Sequence, residues 1–360
     1  MTINPQTLSS RDQLKKLDPD DVLGSIEALA DQVRHAWSDT QQLSLSNITK
    51  PHNIVVAGMG GSALGASVIK HLFKDELAVP FVINNDYDLP AFVDSGSLVI
   101  LSSYSGNTEE ILSCANQAKQ KKAQIVVICS GGKLAKLAET EDYPLYLINA
   151  KYNPSNQPRM AIGYAIAGLM GILAKVKLIK IDDKQIDEVV KTILTTSDSC
   201  SVETETDDNP AKSLTFAVVD RRPNLIAAEF LTGAAHVASN QFNENAKTFA
   251  SYYQVPEMNH HLLESLEFPK SNQLDNIFLF FDSKLYHPQN KVRIKLTQEA
   301  VEKQGCVALE IKIHADSKLA QVFELITLAS YSNYYLAILN GINPSLIPIV
   351  DWFKDKLAKK

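Results

Sequence analysis

The chain has 360 residues, enough to bury one large core or two, and its 45% hydrophobic and 21% charged content is that of an ordinary folded protein. A formal net charge of -6 excludes a broad cationic surface for nucleic acid or anionic lipid and leaves room only for local anion sites. Cys114, Cys129, Cys200 and Cys306 lack metal-ligand spacing, no signal segment or bilayer-length apolar run is read, and a reducing cytoplasm is the compartment expected.

In chain order, residues 1–18 are polar and read as a surface segment. Pro19-Asp20-Asp21 starts a helix whose Val22, Ile26, Leu29, Val33 and Trp37 share one apolar face. Ser38–Lys50 is a polar connector, so residues 1–50 form a helical extension. A first α/β unit covers 51–180, with strands expected at 53–57, 79–83, 97–102, 124–129 and 145–148. Helices are expected at 62–73, 108–120, 133–138 and 159–175. Apolar strands alternating with helices predict a parallel sheet flanked by helices. The loop 153–158 places Arg159 at an exposed corner. A helix through 181–195 runs into Ser/Thr/Asp/Glu-rich sequence ending at Asn209-Pro210, where two domains join. A second α/β unit, 210–345, starts at the apolar run Leu214–Val219. It continues through a helical segment at 223–238, strand 277–282, helix 288–303, strand 306–313 and apolar helix 319–339. Gly341-Ile342-Asn343-Pro344 stops that helix, and a short amphipathic helix lies in 346–360.

Two strand–loop–helix passages stand out. Gly-Met-Gly-Gly-Ser at 58–62 follows the apolar run 53–57, and Leu98–Thr108 repeats the arrangement one unit later. Neighbouring parallel strands that end this way aim two helix N-termini and several hydroxyls at one spot, which suits a phosphate. Gly58, Gly60 and Gly61 allow close backbone approach, while Ser62, Ser103, Ser105 and Thr108 supply donors. Gly106 permits the second turn, and Asn107 fixes it by an internal hydrogen bond. A plain tight turn and a dinucleotide site with Asp86 on the ribose remain the alternatives. However, residues 58–63 read Gly-x-Gly-Gly-x-Ala, and no Gly-Lys-Ser/Thr loop occurs.

The densest polar stretch is Asn240–Lys247. Glu244 and Lys247, three apart, share a helical face, either as a surface ion pair or as a base with a nearby cation. His260 and His261 are adjacent and do not converge on one atom, and no His-Glu-x-x-His pattern occurs among the eight histidines. Each can cap or pack, or carry a proton in a sugar site. Arg159 offers a rigid fork to an anionic oxygen, or an ordinary ion pair. Lys354 has no special status from the residues alone, and Trp37 and Trp352 read as packing residues.

These pieces resemble the bifunctional phosphoglucose/phosphomannose isomerases, built from two sugar-isomerase (SIS) domains. The matching text is Gly-Met-Gly-Gly-Ser-Ala-Leu-Gly at 58–65, Ser-Tyr-Ser-Gly-Asn-Thr-Glu-Glu at 103–110, Gln-Pro-Arg at 157–159, Asn-Glu-Asn-Ala-Lys at 243–247 and Pro-Glu-Met-Asn-His at 256–260. The first two motifs mark SIS domains generally; the later three belong to this branch. The resemblance implies phosphate binding by Gly61, Ser62, Ser103, Ser105 and Thr108. It implies charge stabilisation by Arg159, proton shuttling between C1 and C2 by Glu244, and ring opening by His260 from a partner subunit. A short Trp-Phe-Lys match adds Lys354 to ring opening. One departure is His261, where the family often has Asn.

The function expected from the resemblance is an aldose–ketose isomerase acting on hexose 6-phosphates, a homodimer with shared sites, with no metal, redox cofactor, nucleic acid or membrane partner. A non-catalytic sugar-phosphate-sensing module would keep the hydroxyl loops and not need Glu244. A glucosamine-phosphate-forming enzyme would need an ammonia-generating partner or domain, for which the first 50 residues are too short.

Overall fold

The structure, a computed structural model, describes residues 8–357 and 359. Helices α1 (Arg11–Leu17), α2 (Val22–Glu27) and α3 (Leu29–Gln41) open the described chain. Asp21 caps α2 by accepting the Gly24 amide, and the buried Asp18 carboxylate takes the amides of Val22 and Leu23 at 2.9 Å each. The single apolar face expected here is divided between α2 and α3 at Ala28. Leu8 and Leu14 are buried, so the segment expected to lie over the surface is partly anchored; the expectation for residues 1–7 falls outside the described residues.

The first sheet comprises β1 (Asn53–Gly58), β2 (Phe81–Asn84), β3 (Ser97–Ser102), β4 (Gln124–Cys129) and β5 (Leu145–Leu147). Its order is β2-β1-β3-β4-β5, all parallel. β1 and β3 are buried along their whole length, which is why both read as unbroken apolar runs. Helices α4 (Gly61–Leu72), α5 (Glu109–Gln120), α6 (Gly132–Thr140) and α7 (Ile162–Lys175) complete the unit. The register pairs Gly58 with Ser102, so the two hydroxyl loops leave the sheet side by side.

After α8 (Asp183–Cys200) and α9 (Pro210–Val218), the second sheet holds β6 (Arg222–Ala228), β7 (Ser251–Val255), β8 (Asn276–Ser283) and β9 (Val307–Ile313). The order is β7-β6-β8-β9, again all parallel. Its helices are α10 (Thr232–Glu244), α11 (Asn272–Asp275), α12 (Pro288–Lys303), α13 (Lys318–Leu339) and α14 (Pro348–Leu357). Two expectations fail here. Leu214–Val218 of the apolar run lie in α9, capped by Asn209 with Pro210 at its start, and residues 222–228 form a strand that overlaps the start of the expected helical segment 223–238. β7 is a strand the sequence did not suggest. In both places an apolar run carried no usable periodicity, and length and caps decide such cases.

α10 and α13 pack together, and α10 also packs against α4, so one continuous core spans both sheets. Lys318, just past β9, pairs with Asp75, just past α4, at 3.7 Å. The two sheets therefore run in opposite senses: the carboxyl edge of one lies by the amino edge of the other. α13 is long and apolar enough to cross a bilayer, contrary to expectation, but 89% of its most apolar stretch is buried in the protein.

Candidate active site

The loops after β1 and β3 are bonded to each other. Ser62 Oγ accepts the Tyr104 amide at 2.9 Å, and Ser102 Oγ donates to the Ser62 carbonyl at 2.9 Å. Ser103 Oγ lies 2.8 Å from Thr108 Oγ1 and accepts the Gly106 amide at 3.1 Å. Asn107 Nδ2 donates to the Ser105 carbonyl at 3.1 Å, the internal bond expected. Ser103 is buried and braces the loop, whereas Ser105 is exposed and Gly61, Ser62 and Thr108 are partly so. Gly106 has φ +65°, and a Cβ there would lie 1.8 Å from the Gly131 carbonyl oxygen. No other residue satisfies both demands. The result is a preformed cradle of amides and hydroxyls at the starts of α4 and α5.

The cradle touches a second group of residues. A Cβ on Gly61 would lie 3.0 Å from the Arg159 amide nitrogen and from the Pro158 carbonyl carbon. Arg159 sits in a 3-10 turn, Pro158–Met160, and is 1% exposed; the exposed corner expected for it is wrong. Its guanidinium donates to Asn245 Oδ1, to Gln157 Oε1 at 2.9 Å, and to the carbonyls of Pro344 and Ser345 at 2.9 and 2.7 Å. Nη1 lies 3.6 Å from Glu244 Oε2. Burial lowers the Arg159 pKa, Glu244 and Asp351 oppose this, and the group stays charged.

Glu244 ends α10 with its side chain 32% exposed. Burial raises its pKa, against the attraction of Arg159, Lys354 and Lys247. Its place at a helix C-terminus also disfavours the anion. Lys247 lies beyond the helix end at φ +49°, so it does not share a helical face with Glu244. Its Nζ donates to the Asn343 carbonyl at 2.8 Å and the Asn245 carbonyl at 3.1 Å. Burial, then Arg159, lowers its pKa to about 8. Lys354 lies on α14 and reaches Glu244 through its field. Trp352 on the same helix is 57% exposed, not a packing residue of this chain, while Trp37 is buried.

Behind Arg159 runs a buried amide network. Asn245 Nδ2 donates to Asn333 Oδ1 at 2.8 Å, and Gln241 Oε1 accepts from Ser330 Oγ at 2.9 Å and Asn333 Nδ2 at 3.3 Å. Sequence reasoning missed Gln157, Gln241 and Asn333 as supports. The available signal was Asn333, an amide beside Tyr334, Tyr335 and Leu336 in the run 319–339, though Gln321 and Glu324 interrupt the same run and blunt that signal.

His260 stands apart. It is the exposed last residue of the turn Glu257–His260, which Met258 anchors in the core and whose Asn259 donates to Thr297 Oγ1 of α12 at 2.7 Å. α12 packs on the sheet and on the 263–267 turn, whereas α10 packs on α4 and α13. The β6-to-β7 and β8-to-β9 crossovers run in opposite directions, so right-handed connections put α10 and α12 on opposite faces. His260 and Glu244 of one chain are thus separated by the sheet. His261 Nε2 lies 2.9 Å from Glu257 Oε2 at the surface.

A carboxyl group of raised pKa, a fixed guanidinium beside it and an anion cradle next to both can move a proton from a carbon α to a carbonyl, the guanidinium facing the oxyanion that forms. Residues 207–357 match a family model described as the bacterial phospho-glucose isomerase C-terminal SIS domain, and 47–164 match the SIS domain. The bifunctional phosphoglucose/phosphomannose isomerase of Caldicellulosiruptor bescii is 33% identical over 342 residues, covering 93% of this chain and 98% of that protein. This chain belongs to the bifunctional phosphoglucose/phosphomannose isomerase family. Membership makes it an isomerase with the two-sheet SIS architecture. A family member from Thermoplasma volcanium is 29% identical, covering 92% of this chain and 97% of its own. A hypothetical protein of Thermus thermophilus shares the fold at a TM-score of 0.68 with 17% identity, covering 99% of this chain and 94% of its own.

Proposed function

We propose that this isomerase interconverts glucose 6-phosphate and mannose 6-phosphate with fructose 6-phosphate through a cis-enediolate. The observation that carries the reading is Glu244, a carboxyl held above its ordinary range, 3.6 Å from an Arg159 whose backbone borders the hydroxyl cradle. The cradle of Gly61, Ser62, Ser103, Ser105 and Thr108 holds the phosphate remote from C1 and C2 and so orients them. Glu244 takes the proton from one carbon and returns it to the other. Arg159, and Lys247 behind it, stabilise the enediolate. C2 of that species is planar, so the two aldose phosphates converge on it. Lys354 serves ring opening, the site lies between the units at 51–180 and 210–345, and no metal or cofactor enters the reaction.

His260 acts in the site of a second copy. The separation of His260 from Glu244 supports this, and so does α14, whose Ile349, Trp352 and Phe353 are 75, 57 and 59% exposed beside Lys354. The working unit is a homodimer. Four free, buried cysteines suit a cytoplasmic setting. Purified protein should convert fructose 6-phosphate to both aldose phosphates in coupled assays, and folded protein that forms neither refutes the reading. Mixed Glu244→Gln and His260→Ala chains should regain activity on subunit exchange; exchange without recovery refutes the shared site.

A further inference from the structure

The carboxyl edge of the second sheet carries a feature the isomerase reading leaves unused. A cleft of about 300 Å³ opens where β8 and β9 end. Lys284 enters it from the turn after β8, Lys291 and Lys295 from the first turns of α12, and Lys312 and His314 from the end of β9, with Asp282 the one carboxylate in the wall. Lys291 and Lys295 are four apart on a helix, so both ammonium groups project from one face. Lys284 pairs with Asp316 at 3.0 Å and Lys312 with Glu310 at 3.9 Å, whereas among the described residues Lys291 and Lys295 have no ion-pair partner.

The cationic groups come from three elements around one open cleft, and an anion bound among them offsets their mutual repulsion. The cleft also lies beyond the carboxyl ends of two adjacent parallel strands, one strand over from the β6–β8 switch point at which open sheets take ligands. It is not the substrate site. α10 starts at this edge and ends at Glu244 after 13 residues, about 20 Å away. The cradle of the first sheet lies by that far end. We propose that this cleft is a second anion site, for a small molecule carrying two phosphate groups. A cleft of about 300 Å³ has room for more than one phosphate group, and a second group can compete with Asp316 and Glu310 for Lys284 and Lys312, while so small a cluster of lysines cannot form a nucleic-acid track. Lysines are point charges without a fixed fork, so the site selects for charge more than for shape.

The probe is inorganic pyrophosphate, titrated calorimetrically into the full-length protein at low ionic strength, with inorganic phosphate as the single-group control. Pyrophosphate should bind the wild type more tightly than phosphate, and Lys291→Gln/Lys295→Gln should weaken it by about tenfold or more, two charge-assisted contacts being removed. Sugar-phosphate turnover should stay unchanged in that variant, which also reports that it is folded. Lys312→Gln, on a different element, should weaken pyrophosphate several-fold and carries the test if the double variant misfolds. Equal pyrophosphate affinity in wild type and in a folded variant overturns the site, as does a wild type that binds phosphate as tightly as pyrophosphate.

Discussion

The carboxyl edges of the two sheets occupy corresponding places in similar folds and are furnished in opposite ways. After β1 and β3 stand glycines, serines and a threonine, whose amides and hydroxyls are bonded into a fixed shape. After β8 and β9 stand long, mobile ammonium groups around an open cleft. Dipoles held by backbone position an anion but attract it only at short range; ammonium groups attract it from afar and position it poorly. Only the first edge abuts Arg159 and Glu244, the pair to which proton transfer is ascribed in the proposed function, because Gly61 lies against the backbone of Arg159. In the proposed function, precision of placement thus falls where a bond is broken, and bare charge where none is.

The comparison breaks most visibly at Glu244. Glu244→Gln should lower kcat by about 10³-fold or more while calorimetric affinities for fructose 6-phosphate and pyrophosphate stay within a few-fold of wild type. Retention of a tenth of the activity would remove Glu244 from the role of base. Arg159→Lys comes next. It gives up the fork to Asn245, Pro344 and Ser345 and should cost roughly 10²-fold in kcat, with a lower Tm. A kcat near wild type would show that any buried cation suffices. Gly61→Ala probes the link between cradle and base: the new Cβ meets Pro158 and Arg159, so KM should rise and kcat fall together, each about tenfold. A change in KM alone would mean that the two parts are independent.

Salt sharpens the contrast between the edges. Raising ionic strength from about 0.05 to 0.5 M should weaken pyrophosphate roughly tenfold and KM for fructose 6-phosphate less than about threefold; equal sensitivity would erase the distinction. The last contrast is in the pH profile, whose alkaline limb is the smallest effect. Glu244 must be ionised to act, and burial holds its pKa above the usual carboxylate range, so kcat/KM should fall as pH drops through that raised value. Lys247 loses its charge as pH rises past about 8, which should trim activity a few-fold. A Lys247→Gln profile that keeps the alkaline limb would assign that limb to another group.

Much of this was legible in the residues. The cradle was readable because glycine and hydroxyl spacing is local, and each strand of the first sheet lay close to its apolar run. The surroundings of Arg159 were not. Pro158 and a polar loop suggest exposure, yet the side chain is sealed by carbonyls at 344 and 345, far along the chain. Long-range closure leaves no local pattern. The second unit misled for a related reason: 214–219 and 225–228 are both apolar apart from Thr215, and only the Asn209 cap with Pro210 tells the helix from the strand. Asn245 lay inside the polar stretch already singled out, but its purpose, orienting Arg159, appears only once Asn333 is seen beside it.

The carbonyl seal on Arg159 sets an order of events during synthesis. The first sheet and its cradle can fold as soon as residues to about 175 have left the ribosome, since their pairings are internal to that stretch. The guanidinium then lacks Asn245, Pro344 and Ser345 until nearly the whole chain has emerged. A nascent chain can form the cradle of amides and hydroxyls long before it can fix the guanidinium of Arg159, so with the proposed roles ligand holding would precede turnover on the ribosome.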